Sequence, residues 1–150
     1  MDAKLSVRRA KMADMSVLVD FIEALFSVEK DFQTNRENHE NGLLELICGG
    51  RGAVFLAEFN GAAAGMATAQ IVISTSVGGV SLLVEDVFVS EEYRGRGAGQ
   101  RLMEEVKKWG LKNGALRMQL VADKNSMDAI GFYKKHGWKE SNMTGLYYHF

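Results

Sequence analysis

Residues 84–100 read VEDVFVSEEYRGRGAGQ, a segment that joins a strand pattern to a glycine-rich loop. Its first part, residues 84–89, is rich in β-branched and aromatic side chains, which is typical of a strand. Its last part sets three glycines among small or basic residues, immediately before a helical pattern. A helix N-terminus exposes unpaired backbone N–H groups, and glycine lets an anion approach them without obstruction by Cβ. The junction therefore predicts a pyrophosphate site, and a glycine-rich surface turn without a ligand stays open as the alternative.

Two well-known phosphate loops do not fit this segment. No Gly-Lys-Ser/Thr ending follows the glycines, so the segment is not a Walker A loop. Arg94 fills the first glycine position of the dinucleotide fingerprint, and the preceding strands read as hairpins rather than as parallel units. The segment is therefore a third kind of phosphate loop.

The patterns on both sides predict alternating strands and helices. Asn60-Gly61 is a strong type I′ hairpin signal, and the run from Thr34 to Glu37 matches a capping box that begins a helix. Glycines such as Gly114 and Gly137 mark helix ends. The predicted strands are residues 5–9, 53–59, 62–76, 80–89, 117–122 and 146–150, and the predicted helices begin at Asp14, near Thr34, at Gln100 and at Ser126.

Composition narrows the class of protein. The 150 residues are 47% hydrophobic with a formal net charge of −1, which indicates one compact domain and gives no electropositive field for nucleic acid or anionic lipid. Cys48 is the only cysteine, so an intrachain disulfide is excluded. No apolar run is long enough for a signal peptide or a membrane span, so a cytoplasmic location is expected. The three histidines are widely separated, so no metal site is predicted.

Taken together, two blocks of sequence resemble the GNAT superfamily of acetyltransferases. The family signature Arg/Gln-x-x-Gly-x-Gly/Ala is matched by Arg94, Gly97 and Gly99, and a second family motif is matched by residues 129–138, AIGFYKKHGW. Residues 84–89 are especially similar to the polyamine and thialysine (diamine) acetyltransferase branch. The resemblance implies an α/β (α+β) fold: one domain over residues 1–150, with a mixed, mostly antiparallel sheet of six to seven strands flanked by about four helices.

The resemblance also implies an acetyl-CoA site. The backbone N–H groups of residues 95–100, which follow Arg94, would hold the pyrophosphate. The strand before the loop would run along the pantetheine arm. The family usually carries Asn three residues before the alanine matched by Ala129; Ser126 stands there, with Asn125 one residue earlier, and either could contact the cofactor. The implied cofactor-binding residues are Val87, Phe88, Val89, Arg94, Gly95, Arg96, Gly97, Ala98, Gly99, Gln100, Tyr133, and Asn125 or Ser126.

Two residues are the candidates for proton transfer. Strand alternation places Glu85 on the face of Val87 and Val89, where it could accept an amine proton through water, and the branch resemblance implies this role. Tyr133 is the candidate acid, because a tyrosine phenol with an ordinary pKa near 10 stays protonated at neutral pH. The alternatives are a solvated or ion-paired carboxylate for Glu85 and core packing of the ring for Tyr133.

The predicted reaction is direct acetyl transfer from acetyl-CoA to a primary amine of a small molecule in a ternary complex. Asp86 would orient the substrate or support the strand. Glu29 belongs to an acidic cluster that favours a cationic acceptor, with scattered surface charge as the alternative interpretation; the cluster consists of Glu29, Asp31, Glu37 and Glu40. Acetylation of a protein N-terminus or lysine is the second enzymatic interpretation, and a non-catalytic acyl-CoA sensor is the alternative of another class. The resemblance also implies a possible homodimer, because homodimers are common in this family.

Overall fold

The computed structural model describes residues 4–29 and 31–150. Their elements fall into two compact units, Met1–Gln119 and Leu120–Phe150. Along the chain these elements are β1 (Leu5–Arg9), α1 (Met15–Val28), α2 (Arg36–Cys48), β2 (Gly52–Phe59), β3 (Ala62–Ser74), β4 (Gly79–Val89), α3 (Ala98–Lys112), β5 (Arg117–Leu120) and α4 (Met127–Lys135). Short 3₁₀ turns at Met12–Asp14 and Glu91–Tyr93 precede α1 and α3.

The strands form one open sheet in the order β1-β2-β3-β4-β5. β1 through β4 pair antiparallel with their sequence neighbours. The predicted hairpin turn is confirmed, because Asn60 and Gly61 both have positive φ, 50° and 82°. The prediction of six to seven strands is wrong: the described residues give five, and four helices as expected.

Helices cover both faces of this sheet. α1 and α2 pack on one face through a core that includes Leu18, Ile22 and Leu43 together with Val54 and Leu56 of β2. Phe55 lies between those two β2 residues in sequence, so its side chain points to the opposite face. There its ring contacts Trp109 of α3 at 6.4 Å between centroids.

The start of α2 differs from the prediction by one residue. Asn35, rather than Thr34, is the N-cap, and its Oδ1 accepts the backbone N–H of Asn38 at 3.0 Å. The backbone N–H of Asn35 donates to His39 Nε2 at 3.0 Å, where the predicted capping box would have used Glu37. The reason is chemical: an asparagine side chain caps as well as a threonine, and His39 supplies the reciprocal acceptor one position later.

The C-terminal unit contains α4 and an irregular tail. Ser126 is the N-cap of α4, and its Oγ accepts the backbone N–H of Ala129 at 3.3 Å. The predicted strand at residues 146–150 is wrong, because this segment has no regular structure. Its aromatic composition favours strands only where a neighbouring strand and a packed surface receive it, and here Leu146 is 89% exposed.

No helix in the described ranges is long and apolar enough to cross a membrane.

Candidate active site

An irregularity in β4 creates the site. The β3–β4 register shifts between Met66, which faces Phe88, and Thr68, which faces Glu85. Two β4 residues, Asp86 and Val87, therefore lie opposite one β3 residue, which is the arrangement of a β-bulge. Asp86 has a φ of 36°, a conformation that non-glycine residues rarely adopt. Because of the extra residue, the side chains of β4 on either side of Asp86 do not alternate between the two sheet faces as they would in a regular strand.

The bulge faces a cavity of about 330 Å³ between β3, β4, α1 and α2. Its wall has an apolar part from the helices and a polar part that includes Glu85 and Asp86. The lining residues are Ile22, Phe26, Asn38, His39, Gly42, Leu43, Glu45, Leu46, Gln70, Glu85 and Asp86.

The bulge also corrects the predicted strand faces. Simple alternation placed Glu85 with Val87 and Val89, away from Asp86 and Phe88. In the structure Glu85 and Asp86 line the same cavity under α1 and α2, and Phe88 packs on that side against Phe21 of α1, with ring centroids 5.4 Å apart. The prediction was wrong because the extra residue resets the two-residue period.

Both carboxylates have raised pKa values. Burial is the main cause for Glu85, and the negative charge of Asp86 adds to it. Burial also raises the pKa of Asp86, opposed by the hydroxyl of Thr68, which donates to Oδ2 at 2.9 Å, and by the proximity of His39. Two neighbouring carboxylates in a partly apolar cavity thus hold protons more tightly than they would in water.

His39 is a site residue that the sequence analysis missed. It was considered only as a metal ligand, whereas the structure places it, 9% exposed, on the cavity wall. Its ring packs edge-on against Phe26, with centroids 5.1 Å apart. The available signal was its position four residues after the N-cap Asn35, which turns it toward the start of α2.

The glycine-rich loop has the geometry that phosphate binding needs. Gly95 and Gly97 have φ values of 72° and 84°, and a Cβ built on either would meet no atom within 4 Å. Gly97 is the N-cap of α3, and the N–H of Arg101 donates to its carbonyl at 3.0 Å. The N–H groups of residues 98–100 therefore precede the first intrahelical bond and have no carbonyl partner in the helix. The first turn of α3 carries no acidic side chain that would oppose an anion.

The arginines around this loop have protein partners. Arg94 Nε donates to the carbonyl of Val89 at 3.0 Å, which joins the loop to the end of β4. The Arg96 guanidinium lies 5.9 Å from the ring centroids of both Phe59 and Tyr93. Arg94 thus has a positioning contact, and Arg96 lies against an aromatic pair.

The remaining predicted residues lie elsewhere in the chain. Glu29 is the C-cap of α1 and is not among the residues that line the cavity. Asn125, Ser126 and Tyr133 belong to the C-terminal unit. There the Tyr133 ring contacts Phe132 at 5.2 Å and Trp138 at 5.6 Å between centroids. Their roles in binding or catalysis stay predictions.

Comparisons with known proteins agree on one family. The model of the acetyltransferase (GNAT) family matches residues 19–138. An uncharacterized N-acetyltransferase, YobR of Bacillus subtilis (strain 168), is 35% identical over 69 residues, 43% of this chain and 28% of that protein. L-ornithine N5-acetyltransferase NATA1 of Arabidopsis thaliana is 32% identical over 68 residues, 41% of this chain and 30% of that protein. The match thus spans less than a third of either curated relative.

Solved structures share the fold over almost the whole chain. The aminoglycoside N-acetyltransferase AAC(6')-Iy in complex with CoA superposes with a TM-score of 0.85 at 18% identity, covering 99% of this chain and 97% of that one. A predicted acetyltransferase with acetyl-CoA from Clostridium acetobutylicum has a TM-score of 0.79 at 17% identity, covering 96% of each chain. At such identities the likeness concerns the fold.

Proposed function

Because the chain belongs to the acetyltransferase (GNAT) family, we propose that it transfers an acetyl group from acetyl-CoA to a primary amine of a small molecule in a ternary complex. The observation that carries this proposal is the cavity beside the β4 bulge, where Glu85 and Asp86 lie together. The same strand continues into the glycine-rich loop, so β4 links a site suited to an amine with a site suited to a diphosphate.

The loop residues fit acetyl-CoA. The N–H groups of residues 98–100 are positioned to donate to the diphosphate, and the left-handed backbone at Gly95 and Gly97 leaves them accessible. The end of β4 fits the pantetheine arm because β5 does not extend along it. β5 is four residues long and begins beside Val80, where the Leu116 N–H donates to the Val80 carbonyl at 2.9 Å. At about 3.3 Å per residue, β5 is too short to pair with Val87, Phe88 and Val89.

The proposed chemistry is one acyl transfer. The ammonium first loses one proton to water; the neutral amine nitrogen then forms a bond to the thioester carbonyl carbon, the carbon–sulfur bond breaks, and the thiolate leaves. Glu85 takes the remaining amine proton through a water molecule, and its raised pKa makes it a stronger base than a fully solvated carboxylate. Tyr133 supplies a proton to the thiolate, and a backbone N–H near Val87 stabilises the oxyanion.

The acceptor we propose is a small cationic amine. Glu45, Glu85 and Asp86 make the cavity wall acidic, which favours a positively charged molecule. The relative from Arabidopsis is named for L-ornithine, and the structural neighbour AAC(6')-Iy is named for aminoglycosides. Both names denote small molecules that carry amino groups. The polyamine and thialysine branch is the finer form of this proposal, carried by residues 84–89.

A thiol-release assay with acetyl-CoA and a panel of primary amines tests the proposal. We expect release that depends on the amine and falls about 100-fold or more in Glu85→Gln, the range for loss of a general base. Glu140→Gln, which removes an exposed carboxylate that does not line the cavity, is the matched control and should keep full activity. Binding of acetyl-CoA without amine-dependent release would instead indicate a sensor module. Release with peptide amines alone would indicate a protein acetyltransferase.

A further inference from the structure

β5 leaves one edge of the sheet open. It is the last strand in the order β1-β2-β3-β4-β5, and no strand in residues 4–29 and 31–150 pairs with its outer side. The Leu116 N–H donates to the Val80 carbonyl of β4 at 2.9 Å. Backbone N–H groups alternate between the two sides of a strand, so those of Arg117 and Gln119 point to the open side. Unpaired N–H and C=O groups at an edge are a template for another extended segment.

An apolar groove lies beside this edge. A cavity of about 150 Å³ separates the end of α3 from β5, and most of its wall is apolar: Gly110, Leu111, Ala115, Leu116 and Met118. Leu111 and Leu116 are 63% and 65% exposed. An exposed apolar surface next to an open strand edge is typical of a docking site. We call the outer edge of residues 117–119, together with this cavity, the β5 groove.

The same chain carries an exposed segment of matching chemistry at residues 146–150. Leu146 is 89% exposed, Tyr148 is 84% exposed and Phe150 is fully exposed. The rings of Tyr148 and Phe150 have centroids 5.7 Å apart, so side chains two positions apart share one side, as they do in an extended segment. Aromatic residues favour strands wherever a neighbouring strand receives them. Each chain therefore has one uncovered apolar segment and one uncovered groove.

We infer that two copies of the chain exchange residues 146–150, so that each segment lies in the β5 groove of the other copy. One segment and one groove per chain suit a closed two-fold dimer, in which both are covered and no edge is left to recruit a third copy. Two aromatic rings per segment, counted with the surfaces that receive them, bury roughly 1,200–2,000 Å² in the dimer, which is the range of stable interfaces. This inference does not depend on the proposed acetyl transfer.

Light scattering after size-exclusion chromatography tests the exchange on the full chain. We expect the mass of two chains for the wild type. Leu146→Asp should raise the Kd of the dimer about 100-fold or more, because one buried leucine is lost from each segment. Met143→Asp is its control and should keep the wild-type Kd, since Met143 is also exposed but lies outside residues 146–150.

A pair of variants at Gln119 tests the groove. Arg117 Nη2 donates to Gln119 Oε1 at 3.0 Å, and both Gln119→Pro and Gln119→Ala lose this hydrogen bond. Only the proline also removes the outward N–H, a loss that an edge strand tolerates in the single chain. Gln119→Pro should raise the Kd of the dimer about tenfold or more, because one hydrogen bond is lost at each of two grooves. Gln119→Ala should keep the wild-type Kd.

The readout is mass, so failure of this inference is separate from failure of the proposed function, which activity decides. A wild-type chain that is monomeric at every concentration overturns the inference. Monomers that bind phosphatidylcholine vesicles, and lose this binding in Leu146→Asp, would assign the segment to a lipid surface instead. A dimer that survives both Leu146→Asp and Gln119→Pro would have another interface. If Gln119→Pro does not fold, Leu146→Asp decides alone, because Leu146 is exposed in the single chain.

Discussion

The sharpest prediction concerns Gly97→Ala, with Gly78→Ala as its control. Gly97 has a φ of 84° and Gly78 a φ of 75°, and a Cβ built on either would meet no atom within 4 Å. Neither substitution causes a clash, so each costs only the left-handed strain of an alanine, about 1–2 kcal/mol. For a chain of this length that strain lowers Tm by roughly 2–8 °C in both variants.

The two variants should differ in acetyl-CoA binding. Gly97 is the N-cap of α3, so a methyl group there obstructs the path of the diphosphate to the free N–H groups. Gly78 precedes the 11 residues of β4, about 35 Å from the loop at the rise of an extended strand. Losing one or two hydrogen bonds to a charged group weakens binding about 10- to 100-fold. Isothermal calorimetry that gives one Kd for wild type, Gly97→Ala and Gly78→Ala would refute the loop as the diphosphate site.

Three further predictions concern the catalytic groups and α4. Tyr133→Phe should lower kcat about 100-fold or more, a far larger effect than on acetyl-CoA binding; unchanged turnover would remove the role as acid. Asp86→Asn removes a negative charge that raises the pKa of Glu85, so the acid limb of the kcat/KM profile should move to lower pH, and a limb that stays or rises contradicts the assignment. Ser126→Ala removes the cap hydrogen bond to Ala129 and should lower the free energy of unfolding by about 1 kcal/mol, which corresponds to a Tm lower by roughly 2–4 °C. An unchanged Tm would show that this cap does not stabilise the protein.

Sequence reasoning was most reliable where the signal is local. The hairpin at Asn60 and Gly61 and the cap at Ser126 follow from the conformational freedom or side-chain chemistry of the residues themselves. The helix after the glycine-rich loop follows from the amphipathic pattern of α3, which was predicted to start at Gln100 and begins at Ala98. Each of these features is decided within a few residues, so no distant contact is needed to predict it.

The errors arose where distant parts of the chain decide the outcome. The predicted strand at residues 146–150 needed a partner strand, and strand propensity cannot show whether one is available. The face of Glu85 depended on the register of β4 against β3, since one extra residue opposite Ala67 reverses the alternation. His39 was missed because two other elements bring the groups around it: β4 brings two carboxylates and α1 brings the aromatic ring of Phe26.

Local sequence signals were enough to predict the family, the order of most elements and the loop on which the acetyl-CoA proposal rests, because glycines and helix signals act through the backbone at their own positions. The cavity shared by Glu85, Asp86 and His39 could be seen only in the folded chain. A bulge and the packing of α1 and α2 on the sheet set these side-chain directions, over distances in sequence that no local pattern spans.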